Sequence, residues 1–199
     1  MKKPFTSFVQ NEIEPKTLVI TCGLPASYKT GIAQEVAKIK GYPILRSDLI
    51  RLEVLKNQDV FNAKVAGSMK NRLSVYNEMF KRAEHLASAG GVILDATFIT
   101  QELRERAAEI ATKKDLSLLI METNCPQEVA LERIKKRSKN NYESNALTTE
   151  AYLINKKTFE PINIDSIKKK NPRLKITHLT IDTCQCGMNN WFVTKQEKR

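Results

Sequence analysis

No apolar run in this sequence approaches the 18 or so residues that read as a membrane span. The opening stretch, MKKPFTSFVQNEIEP, has two lysines but no sustained apolar core. Together these absences predict neither a membrane anchor nor a secretory leader. Cysteine is sparse and scattered, with four thiols at positions 22, 125, 184 and 186. That pattern excludes a disulfide framework and predicts reduced thiols in a cytoplasmic protein. Cys184-x-Cys186 has no second cysteine pair, and His178 is the one imidazole near it, so a four-ligand zinc site is not built from this chain alone. Low-complexity tracts and internal repeats are missing, and 199 residues with 41% apolar and 28% charged content suit one domain with a full core. Acidic residues are outnumbered, 22 against 33 basic ones, for a net charge of +11. A surface of that sign favours nucleotides, phosphorylated compounds or nucleic acid over cationic ligands.

What is present centres on residues 18–36, LVITCGLPASYKTGIAQEV. A buried strand at about 17–22 leads into Gly23-Leu24-Pro25-Ala26-Ser27-Tyr28-Lys29-Thr30, and a helix follows from about 29 to 39. Strand, Gly-led loop, Lys-Thr, helix is the context of a phosphate-binding loop. Successive backbone N–H groups converge on a phosphate, and the helix adds its positive end. Lys29 would reach the β- and γ-phosphates of a nucleoside triphosphate, and the Thr30 hydroxyl would hold Mg²⁺. One letter departs from G-x-x-x-x-G-K-[ST]: Tyr28 stands where the second glycine belongs. A tyrosine fits there if its φ is negative and its ring points away from the nucleotide.

Further along, residues 1–16 read as an irregular lead-in or a short added element. Pro43 to Leu45 is a short apolar stretch, and Ser47-Asp48-Leu-Ile-Arg51 opens a second helix. Residues 57–68 form a polar connection. Met69, Leu73, Tyr76, Phe80, Ala83 and Ala87 recur at helical spacing on one face, and Gly90-Gly91 ends that helix. Val92–Leu94 is a buried strand closing on Asp95. Thr100 caps the next helix, and Leu116–Met121 is another strand. Pro126 opens a helix whose end is basic, with Arg133, Lys135, Lys136 and Arg137. Residues 138–147 are polar and turn-prone, a lid region. Thr148 starts a helix, Lys168–Lys170 lies in a loop, a last strand spans about 175–181, and 192–199 is an edge strand passing into a flexible tail. Apolar strands alternating with helices predict an α/β fold of three layers, αβα. Its sheet is mostly parallel, with about five strands and helices on both faces.

In such sheets ligands bind beyond the carboxyl ends of the strands, where three polar stretches converge: the 23–30 loop, Ser47-Asp48 and Asp95. Asp48 and Arg51 share a helix face. The carboxylate suits the abstraction of a hydroxyl proton, and the arginine suits an anion on the acceptor. A helix-capping aspartate beside a surface ion pair is the competing reading. Asp95 suits Mg²⁺ beside Thr30, usually through water. Arg133 and Arg137, again on one face, suit charge neutralisation over phosphates, or else a solvated face paired with Glu128 and Glu132.

CGLPASYKT, ILRSDLIR, GGVILDATF, LERIKKR and the FEP at 159–161, in this order, resemble the AAA_33 family of P-loop kinases, whose members are similar to polynucleotide kinases. The resemblance spans roughly residues 17–183 and implies ATP- and Mg²⁺-dependent transfer of the γ-phosphoryl group to a hydroxyl. The acceptor it implies is a polynucleotide 5′-hydroxyl or a small metabolite. By position it implies Lys29 and Thr30 as the Walker A pair, Asp48 as general base, Arg51 as acceptor-positioning arginine, Asp95 as the acidic residue near the metal, and Arg133 or Arg137 as lid arginine. Tyr28 motivates the alternative of a non-catalytic nucleotide- or nucleic-acid-binding protein. An ATPase that transfers phosphate only to water is a third reading.

Overall fold

The structure, a computed structural model, describes residues 2–60, 62, 65, 68–136 and 147–199. Its elements in order are β1 (Lys3–Pro4), α1 (Phe5–Glu12), β2 (Thr17–Cys22), α2 (Lys29–Lys40), β3 (Ile44–Arg46), α3 (Ser47–Val54), α4 (Met69–Leu86), β4 (Val92–Asp95), α5 (Gln101–Lys113), β5 (Ser117–Asn124), α6 (Gln127–Lys135), α7 (Thr149–Thr158), α8 (Ile164–Lys170), β6 (Ile176–Asp182) and β7 (Phe192–Lys198).

One sheet runs in the order β1-β7-β6-β5-β2-β4-β3. The five strands β3-β4-β2-β5-β6 are parallel, and β7 and β1 add an antiparallel edge. The parallel core agrees with the sequence reading, and the antiparallel pair is extra. Every residue of β2 is buried. Its side chains alternate between faces, as the period of two requires. Leu18, Ile20 and Cys22 join one apolar cluster with Tyr76 and Met79 of α4 and Leu103 and Ala107 of α5. Val19 joins the other, with Phe5, Phe8 and Val9 of α1, Ile32 and Val36 of α2, and Trp191. Two cores on opposite faces of one sheet are the three layers. A smaller third cluster joins Ala26 of the loop to Ala130 and Ile134 of α6 and Tyr152 of α7. It ties the two helices that flank residues 138–147 to the phosphate loop.

Several details differ from the reading of the sequence. Residues 2–16 carry a strand and an eight-residue helix, because Phe5, Phe8 and Val9 bury one face against α2. Lys168–Lys170 is the last turn of α8, where three cations face the negative helix end. The expected flexible tail is strand β7. Val193 is buried, and the strand pairs with β6 as far as Lys198, with Arg199 exchanging backbone bonds with Ile176. Its alternate side chains are charged and exposed, as befits an edge. Most of the 138–147 lid region, much of 57–68 and Arg137 lie outside the described residues. No helix among the described residues is long and apolar enough to cross a membrane.

Candidate active site

The loop between β2 and α2 leaves the carboxyl end of the central strand and folds around glycine. Gly23 has φ +135°, and a Cβ there would come within 2.5 Å of Thr123 Oγ1 and 2.7 Å of the Thr123 carbonyl. Only glycine lets the chain leave β2 that close to β5. Ser27 donates to the Leu24 carbonyl at 2.7 Å and sits 2.5 Å from the Thr123 hydroxyl, which closes the loop on itself. Lys29 Nζ donates to the Leu24 carbonyl at 2.8 Å, so the ammonium lies across the cradle.

Tyr28 departs from expectation in its backbone and meets it in its ring. Its φ is +59° and ψ +27°, the left-handed conformation a glycine adopts there, rather than a negative φ. The ring stacks on Trp191 at 5.7 Å between centroids, and the Arg133 guanidinium lies 4.1 Å from its centroid. Its hydroxyl donates to Cys186 Sγ at 3.0 Å. The side chain is therefore anchored in the 184–191 loop, and the loop backbone runs as a second glycine would have made it run.

Thr30 Oγ1 donates to Asp95 Oδ2 at 2.7 Å. Asp95 is buried at the end of β4, where Thr21 Oγ1 bonds its other oxygen at 3.1 Å and Arg46 Nε approaches at 3.8 Å. A hydroxyl and a carboxylate in contact form an all-oxygen donor pair that suits Mg²⁺ with water and phosphate oxygens completing its shell. Among the described residues no cluster of three or more His, Cys, Asp or Glu could cage a metal by itself, which matches an ion held largely by its substrate. The residues present therefore fit Mg²⁺ bound together with a nucleotide.

Asp48 and Arg51 stand one turn apart on α3, which leaves the carboxyl end of β3 next to Asp95. Loss of water around Asp48 pushes its pKa up, and Asp95 pushes it further, while Arg51, Lys29 and Arg46 pull it down. These groups thus share one electrostatic neighbourhood at the strand ends. A raised carboxyl pKa is what a base near neutral pH requires. Arg51 is 9% exposed, and its Nε and Nη1 have no hydrogen-bond partner among the described residues.

Arg133 sits at the end of α6 and donates to the carbonyls of Ala26 at 3.1 Å, Thr183 at 2.8 Å and Cys184 at 2.7 Å. It joins the phosphate loop to the loop after β6, and its charge lies beside the cradle rather than on a mobile arm. The sequence reading passed over two groups. Arg72 of α4 donates from Nη2 to Asn155 Oδ1 of α7 at 3.0 Å. Arg104 is wholly buried and donates to the carbonyls of Phe98, Pro161 and Glu160 at 2.7–3.0 Å. It fixes the FEP stretch under the chain that follows Asp95. Arginines inside helical apolar patterns are the signal that would have found both.

A parallel sheet with a Gly-led loop at its central strand, Lys-Thr at the helix start and an aspartate on the neighbouring strand defines a P-loop nucleotide-binding protein. The family model AAA_33, described as an AAA domain, matches residues 18–162, so the chain belongs to that family. The fold is shared with three solved structures at low identity. One is a protein of Chloroflexus aurantiacus j-10-fl, with 19% identity, TM-score 0.63 and coverage of 87% of this chain and 92% of that one. A sugar kinase from Janibacter sp. HTCC2649 has 19% identity, TM-score 0.59 and coverage of 85% and 86%. A gluconokinase from Sinorhizobium meliloti 1021 has 16% identity, TM-score 0.57 and coverage of 86% and 85%. A comparison with curated proteins returns no match.

Proposed function

We propose that this protein is a single-domain, ATP-dependent phosphotransferase that moves a γ-phosphoryl group to a hydroxyl acceptor. The observation that carries the reading is the 2.7 Å bond between Thr30 and Asp95, directly beneath a loop that already holds its phosphate-binding shape. Backbone N–H groups of residues 23–30 cradle the phosphates, and Lys29 swings from the Leu24 carbonyl to the β- and γ-oxygens. Thr30 and Asp95 hold Mg²⁺, which neutralises phosphate charge when bound. Asp48 accepts the acceptor hydroxyl's proton, and Arg51 positions the acceptor. Arg133 holds the loop and contributes positive charge at its rim, with Arg137 following on the same helical pattern. The gluconokinase and sugar kinase that share the fold favour a small hydroxylated acceptor over a polynucleotide.

Titration of Mg·ATP by calorimetry into wild type and Lys29→Ala tests this. Micromolar binding that is lost in the variant, with unchanged far-UV circular dichroism, is the expected result. Absence of binding to wild type would overturn the reading. The non-catalytic alternative rested on Tyr28 obstructing the loop, and the left-handed backbone with its outward ring removes that motive.

A further inference from the structure

Beyond the nucleotide side, one group in the cleft is left with an unmet need. Arg51 is nine-tenths buried, yet two of its guanidinium nitrogens, Nε and Nη1, have no partner among the described residues. Buried charged donors without acceptors are rare, and each calls for an explanation. Asp48 lies one turn away and feels the Arg51 charge, but those two nitrogens do not bond it. A second cation approaches from the other side. Arg72 on α4 is held by the buried Asn155, whose Oδ1 takes Nη2 at 3.0 Å and whose Nδ2 is spent on the Ala151 carbonyl at 2.6 Å. Asn155 thereby fixes the Arg72 fork without neutralising it. Burial and the positive charge of Arg51 both make the Arg72 cation costlier to hold, which places the two guanidinium groups in one neighbourhood. Helices α3 and α4 pack against each other and carry these two cations together.

Resting on the phosphotransferase reading, we infer that the acceptor is a small hydroxylated oxyanion whose anionic group is bound by Arg51 and Arg72, with Asn155 as the positioning residue for Arg72. Guanidinium forks are suited to phosphate, sulfate or carboxylate, which accept two parallel N–H bonds. The hydroxyl end then faces Asp48 while the anion is seated one helix turn deeper. Neutral sugars and polyols leave both arginines unpaired and are rejected on that ground.

The test uses inorganic phosphate as probe, with the phosphate loop already filled by Mg·AMP-PNP. Calorimetry is expected to show phosphate binding to wild type, weakening about tenfold in Arg72→Gln, retention of most of it in Arg72→Lys, and loss in Arg51→Gln. Mg·AMP-PNP affinity stays the same in Arg72→Gln. Equal phosphate affinity in wild type, Arg72→Gln and Arg51→Gln overturns the inference. If Mg·AMP-PNP fails to bind, the phosphotransferase reading falls by itself. The same phosphate titration in the Lys29→Ala background then still decides whether the Arg51–Arg72 site takes an anion. Turnover supplies the second arm, with glycerol against glycerol 3-phosphate and ribose against ribose 5-phosphate. ATP consumption only with the phosphorylated members supports the inference, and equal turnover of the neutral ones overturns it. Oligonucleotide binding that falls steeply with salt and resists displacement by phosphate also overturns it.

Discussion

Tyrosine in the left-handed region costs about 1–2 kcal/mol relative to glycine, yet position 28 keeps it. The ring recovers that cost through stacking on Trp191, the Arg133 guanidinium over its face and the bond to Cys186, terms of about 0.5–2 kcal/mol apiece. Tyr28→Gly restores the motif and relieves the backbone but forfeits all three, so we expect a net loss of about 1–2 kcal/mol. A melting temperature lower by about 2–8 °C would show it. Tyr28→Phe keeps the stack and is expected to melt within about 2 °C of wild type. Asp48 carries a second prediction. Its folded pKa is raised above the unfolded value of about 3.9, so the native state binds this proton more tightly than the unfolded state does. The ionised carboxylate therefore opposes folding once pH has risen through the folded pKa, and the penalty vanishes as pH falls toward the unfolded value. Asp48→Asn should melt higher than wild type at pH 7, with the gap closing in acid, while phosphoryl transfer falls at least 100-fold. Wild-type transfer should also decline on acidification. Asp48→Asn transferring at the wild-type rate would sink the general-base role.

Elements were legible where a periodicity repeats and where residues cap. The β2–loop–α2 unit, the α4 face from Met69 to Ala87 and the Thr100 and Thr148 caps follow from spacing and hydroxyls alone. The last turn of α8 was hidden because Ile164 and Ile167 give a single apolar contact pair before the lysines begin. β7 was hidden because Phe192–Lys198 is mostly polar, and only its pairing with β6 makes it a strand. Arg104 shows the same limit within the site's support. Nothing local says that this one of the helix's charged residues turns inward, since its partners are carbonyls more than 50 residues away. Arg104→Met should cost about 3–5 kcal/mol, because buried carbonyls of the 98–99 and 160–161 chains lose their donors. Urea unfolding reads that directly. A loss under 1 kcal/mol would mean that water replaces the guanidinium.

For the whole molecule, the strand order and the convergence of loop, Asp48 and Asp95 at one edge followed from the rule that parallel sheets bind ligands at their carboxyl ends. Arg51's orphaned nitrogens and the Arg72–Asn155 pair did not, since they depend on helices separated by 83 residues in the bonded case. The two-sided core also predicts an order of hydrogen exchange. Val19 and Leu119 lie at the centre of the sheet, buried on both faces. Their amides should exchange only through global unfolding, with β7 intermediate and the 184–190 loop fastest. Exchange of residues 193–198 at the rate of an unstructured peptide would contradict the strand.

The stack of Trp191 on Tyr28 has a consequence for observing this protein at work. Trp191 is the single tryptophan of the chain, and its indole N–H donates to the Gln185 carbonyl while its ring packs under the first turn of α2 at Gly31. Ultraviolet emission therefore comes from one fluorophore that touches the phosphate loop. Any rearrangement of that loop, on filling, emptying or turnover, changes the indole's surroundings and so its colour and brightness, with no label attached.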